Sequence, residues 1–101
     1  MIKIDCIETK KGNTMTASIE VPGAHLILIR ANKGFIMCAA LNIRILDELH
    51  PERRIIAATV KGVKSIEDIL EKKIYEATLE AIKLGIKPGL TSGKEALEKM
   101  M

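Results

Sequence analysis

The chain has 101 residues, enough for one hydrophobic core that buries roughly two-thirds of the surface an unfolded chain exposes. Hydrophobic residues make up 48% of it while Phe35 and Tyr75 are its only aromatics, so the core is aliphatic and the surface offers almost nothing for base stacking. Two distant cysteines, Cys6 and Cys38, exclude a disulfide scaffold and a paired-cysteine zinc site, and the net charge of +3 is the size that keeps a small domain soluble. Reduced thiols and the lack of a signal-like start point to a cytoplasmic protein. The absence of Gln and the wealth of Ile, Lys and Glu resemble the composition of thermophile proteins.

Ile2 to Thr9 alternates, with Ile2, Ile4 and Cys6 on one side and Lys3 and Asp5 on the other, which predicts a strand with Cys6 toward the core. Lys10-Lys11-Gly12-Asn13 is turn chemistry. Alternation resumes from Thr14 to Val21, where Met15, Ala17, Ile19 and Val21 are expected inward and Thr14, Thr16, Ser18 and Glu20 outward.

After Pro22-Gly23, the segments Ala24 to Ala31 and Phe35 to Leu41 are apolar at nearly every position, with Asn32-Lys33-Gly34 as the turn. Strands apolar on both faces are covered on both faces. This hairpin is therefore expected at the centre of the sheet, with helices on one side and a second subunit as a candidate for the other.

Asn42 is placed to cap a short helix with Ile43, Leu46 and Leu49 on one face, ended by His50-Pro51. A strand follows over about Ile55 to Lys61. Ser65, with Asp68 three residues on, opens what reads as the longest helix, with a stripe of Ile66, Leu70, Ile74, Ala77, Ala81 and Leu84. Gly85 and Pro88 end it, and Ser92 with Glu95 forms a capping box for a last helix from Gly93, whose Leu97 and Met100 or Met101 dock on the core.

Several features could carry chemistry. Tyr75, Leu79 and Ile82 make a second apolar stripe, which either packs under neighbouring chain or forms a homodimer contact. Cys38, between Met37 and Ala39, is either core packing or a thiol on the floor of a pocket whose shallow alanine neighbours leave room for a ligand. Ser92, Gly93 and Lys94 put a hydroxyl, a glycine and a lysine at a helix start, where plain capping competes with an anion cradle; the phosphate-loop spacing fails, because Gly89 stands one residue too near and Glu95 follows the lysine. His25 and His50 share no metal-ligand spacing with the other donors, so no metal or other cofactor is expected. Arg30, Lys33, Arg53, Arg54, Lys61 and Lys64 can gather as a basic rim near strand ends, but without exposed aromatics nucleic acid is not the expected partner.

The blocks Lys33-Gly34-Phe35-Ile36-Met37-Cys38, Ala40-Leu41-Asn42, Val60-Lys61-Gly62-Val63 before a Ser-Ile-Glu-Asp helix start, Leu84-Gly85-Ile86-Lys87, and Gly93 to Met100 occur in order. Together they resemble the YunC-like family of small bacterial and archaeal proteins of unknown function. The family pattern has glycine after the cysteine, where this chain has Ala39, and a shorter step before the last helix. The resemblance implies a shared α+β fold, raises Cys38 as a candidate, and assigns no reaction.

The reading is thus a single α+β domain from Met1 to Met101, with a mostly antiparallel sheet of about five strands and three helices. It is of unknown function, with a small ligand or an anion expected beside the central hairpin near Cys38, Lys33, Gly34 and Asn42, or at Ser92, Gly93 and Lys94. Two alternatives stand beside this: a cysteine-dependent enzyme with Cys38 as nucleophile, and a structural homo-oligomeric assembly protein using Tyr75, Leu79 and Ile82. A homodimer is the expected assembly, with no membrane partner.

Overall fold

Alternating residues and Gly-containing turns build an antiparallel meander of β1 (Ile2–Thr9), β2 (Gly12–Val21), β3 (Ala24–Arg30) and β4 (Gly34–Cys38) in a computed structural model that describes residues 1–40 and 42–101. The chain then crosses through α1 (Arg44–Leu49) and a 3-10 turn (Pro51–Arg53) to β5 (Ile56–Val60), which runs parallel to β4. Helix α2 (Ile66–Glu71), a short strand β6 (Glu76–Ala77) antiparallel to β5, α3 (Leu79–Lys83) and α4 (Gly93–Met100) complete it. The strand order is β1-β2-β3-β4-β5-β6, so the fold is α+β with a mostly antiparallel sheet of six strands rather than five. The apolar hairpin β3–β4 lies at its centre.

Helices α2 and α4 cover one face. Ile27, Ile29, Ile36, Ala58 and Val60 from the strands meet Ile69 of α2, Ala96, Leu97 and Met100 of α4, and Ile74, Ala81 and Ile86. All are essentially buried. The capping box expected at Ser92 is present, and Gly85, at φ 95°, ends α3 in the left-handed conformation that glycine adopts freely. Ile86 then folds back, its N–H donating to the Ala81 carbonyl at 3.2 Å. Asn42 accepts from the Arg44 N–H at 3.1 Å, but the capping position of α1 falls one residue later, on Ile43.

Two further expectations are corrected. The first concerns the facing of the β1–β2 hairpin. Ile2, Ile4, Cys6 and Met15 are exposed, whereas Thr14 and Thr16 are buried and Ser18 half-buried. The register explains this: Thr16 stands opposite Ile29, which stands opposite Ile36, on the helix-covered face. Ala17 and Leu28, with Met37 beyond, lie on the other face. A strand's two faces are fixed together once one residue is placed, so the pairing with β3 sets the whole hairpin.

The second concerns the long helix from Ser65 to Leu84, which is two short helices separated by a strand. Helix α2 ends at Glu71, after which the Ile74 N–H bonds to the Thr91 carbonyl at 2.8 Å and the Tyr75 N–H to the Thr59 carbonyl at 2.7 Å. The free edge of β5 takes the backbone groups that a continuous helix would have used internally. Thr78 then starts α3: its hydroxyl donates to the Ile55 carbonyl at 2.7 Å and accepts from the N–H groups of Ala57 and Ala81. Tyr75, Leu79 and Ile82 consequently do not share one helix, although all three are exposed.

Candidate functional site

The second face of the sheet decides what this chain can bind. Across it run Ile2–Ile19–Leu26, then Ile4–Ala17–Leu28–Met37, then Cys6–Met15–Arg30–Phe35. At the far end of that face the Arg44 Nε of α1 meets Glu76 Oε2 at 3.0 Å, and Glu76 pairs with Thr59. From β1 to β4 the face is open.

A shallow hollow of about 490 Å³ lies on this open face beside the central hairpin. Leu28, Phe35 and Met37 floor it, and Arg30, Asn32 and Lys33 stand at its edge with Gly34. Both cations are exposed, and among the described residues neither forms an ion pair. The turn that carries them is held firmly. The Lys33 N–H donates to the Met100 carbonyl at 2.7 Å, and the Ala31 N–H to the Gly34 carbonyl at 2.8 Å. Gly34 is required by contact, because a Cβ there would lie 2.1 Å from the Ile56 carbonyl oxygen of the neighbouring strand. On the other side of Arg30, a wider hollow of about 640 Å³ includes Ile4, Cys6, Met15 and Asn13.

The residues singled out from sequence fall in three separate places. Lys33 and Gly34 come together in the hollow beside β3–β4. Asn42 lines a different and smaller cleft of about 270 Å³ with Ala39, Arg44, Thr59, Tyr75 and Glu76, where Lys61 Nζ lies 5.2 Å from the centre of the Tyr75 ring. Ser92, Gly93 and Lys94 sit at the start of α4. There the Gly93 N–H donates to the Lys72 carbonyl at 2.9 Å, the Ser92 N–H to Glu95 at 3.3 Å, and the Glu95 N–H to the Ser92 hydroxyl at 3.2 Å. Lys94 faces a groove shared with Glu8, Glu67, Glu71 and Glu98, whose carboxylates oppose an anion.

Cys38 is 6% exposed, on the helix-covered face opposite Val60, and lines none of the cavities above. His25 is bonded to the Ser18 hydroxyl, and His50 lies 3.7 Å from Glu52. Among the described residues no group of three His, Cys, Asp or Glu is placed to hold a metal. Among the described residues no helix is long and apolar enough to cross a membrane.

Sequence reasoning named Arg30 only as part of a basic rim and missed Leu28, Phe35 and Met37 as lining residues. Their signal was in the two-sided apolar character of β3 and β4: half of each strand faces its own helices, and the other half needs a separate use.

A family described as a domain of unknown function (DUF1805) matches residues 37–100. The uncharacterized protein YunC of Bacillus subtilis is 38% identical over 92 residues, which is 90% of this chain and 90% of that protein. A crystal structure of a protein of unknown function from Thermoplasma acidophilum superposes with a TM-score of 0.88 at 33% identity, over 100% of this chain and 94% of that one.

Proposed function

Since the chain belongs to the YunC-like family of domains of unknown function (DUF1805), a membership that carries a fold but no reaction, we propose from its own geometry that it is a binding module for a small anion with an apolar body. The observation that supports this is the pairing, in one hollow, of an apolar floor of Leu28, Phe35 and Met37 with two unpaired cations, Arg30 and Lys33. A carboxylate or phosphate head would meet the guanidinium fork, which matches planar oxyanions in two-point contact, while the body lies along the floor. The volume of about 490 Å³ is in the range of small-molecule sites.

Octanoate is a suitable probe, with octanol and acetate as controls for the body and the head alone. At ten times its dissociation constant it adds about 1.4 kcal/mol to stability. A rise in melting temperature with octanoate, smaller with either control and lost in an Arg30→Ala/Lys33→Ala double variant, supports the reading. No shift at millimolar octanoate overturns it.

A further inference from the structure

We infer that the cleft at the carboxyl ends of β4 and β5 is a binding site for a small α-amino acid, with glutamate favoured. The first ground is where the topology puts it. Strands β4 and β5 run parallel and are joined through α1, and their pairing continues past Cys38, where the Ala39 N–H donates to the Val60 carbonyl at 3.1 Å. Beyond the carboxyl ends of parallel strands the connecting segments part and leave a crevice, which is where ligands bind in open parallel sheets. Among the described residues Ala39, Asn42, Arg44, Thr59, Tyr75 and Glu76 line it. All six lie within residues 37–100, the stretch that the family matches, whereas Arg30 and Lys33 precede it.

The second ground is the chemistry of the walls. Arg44 Nε and Glu76 Oε2 are 3.0 Å apart, a contact that leaves the guanidinium its terminal amino groups and the carboxylate its Oε1. Held side by side, they present one charge of each sign. A lone anion would meet the Glu76 carboxylate and a lone cation the Arg44 guanidinium, whereas a zwitterion satisfies both. Asn42 is oriented by its Oδ1, which accepts from the Arg44 N–H at 3.1 Å and so keeps the amide nitrogen as a donor. Tyr75 is 47% exposed, and its own N–H anchors it to the Thr59 carbonyl at 2.7 Å.

The ligand's carboxylate meets the free amino groups of Arg44 and the Asn42 amide, and its ammonium meets Glu76 Oε1 and the Tyr75 hydroxyl. The volume, about 270 Å³, lies just below the ~300–1,000 Å³ of drug-sized sites and suits a molecule of amino-acid size. Lys61 Nζ, 5.2 Å from the centre of the Tyr75 ring, adds a cation on that side, so an acidic side chain is preferred to a basic one. The cleft shares no lining residue with the hollow of Arg30 and Lys33, and the inference stands independently of that reading.

Calorimetric titration of the purified chain with L-glutamate tests it, with glutarate, which lacks the ammonium, and L-lysine, whose side chain has the opposite charge, as comparisons. The expected result is one-to-one binding of glutamate, roughly tenfold weaker binding of glutarate and of lysine, and roughly tenfold weaker glutamate binding in Arg44→Gln and in Asn42→Ala, whose parent residues are exposed. Glu76→Gln removes the group that reads the ammonium, so it is expected to weaken glutamate and not glutarate. The Arg30→Ala/Lys33→Ala double variant is expected to bind glutamate as the wild type does. No heat at millimolar glutamate overturns the inference, as does glutarate or lysine binding as tightly as glutamate. Glutamate binding that survives Arg44→Gln and Asn42→Ala but is lost in the double variant overturns it in favour of the open-face hollow.

Discussion

At Gly93 the reason for glycine is space rather than backbone angle. A Cβ there would lie 1.7 Å from the Ile69 carbonyl oxygen, where the start of α4 abuts α2. Backbone cannot yield as a flexible side chain can, so Gly93→Ala is expected to lower stability by about 3 kcal/mol in chemical denaturation. Gly23, at φ 83° with nothing within 4 Å of a built Cβ, is the opposite case: Gly23→Ala meets only the left-handed backbone penalty, about 1 kcal/mol. Equal costs at the two sites would contradict this distinction.

Beside Gly93, hydrogen bonds from the Ser92 backbone and hydroxyl hold the Glu95 carboxyl below its ordinary value of 4.5. A depressed carboxyl contributes stability that is fully present above the unfolded value and is lost as pH falls through the folded one. The melting-temperature gap between wild type and Glu95→Ala is therefore expected to be constant above pH 4.5 and to shrink below it. A gap that widens on acidification would contradict the assignment. Ser92→Ala removes the cap itself and should cost roughly 0.5–2 kcal/mol.

At the scale of elements, Thr78 joins β6 to α3. Its fully buried hydroxyl serves one carbonyl and two N–H groups, so Thr78→Val, which keeps the shape, strands the Ala57 and Ala81 donors. The expected loss is about 2–3 kcal/mol, with faster hydrogen exchange at the Ala57 amide as the local readout. This element was also the least legible from sequence. Ile66, Leu70, Ile74, Ala77 and Ala81 do fall at helical spacing, but the choice between helix and strand around Ile74 was made by the open edge of β5, which no local pattern displays. The terminal helix, by contrast, was legible to its first residue, because Ser92, Glu95 and the apolar Leu97 and Met100 all act locally. The candidate site was half legible: Lys33 and Gly34 belong to a recognisable turn, whereas Leu28 and Met37 become lining residues only through the register between β3 and β4. The facing of β1 and β2 was misjudged because alternation reveals two faces without saying which one meets the helices.

At the scale of the molecule, that misjudged facing explains why a chain with an aliphatic core carries a sheet apolar on both sides. Its helices close one face, and the other, from β1 to β4, stays open in the single chain, with Arg30 and Lys33 beside the apolar floor of Leu28, Phe35 and Met37. Cys6 lies on that open face beside Ile4 and Met15 and is exposed, while Cys38 is buried under the helices. Calorimetric titration of octanoate into the native protein tests the account most directly. The hollow predicts saturable one-to-one binding in the wild type that is lost in the Arg30→Ala/Lys33→Ala double variant. An absence of binding at millimolar octanoate, or equal binding by the double variant, would contradict it.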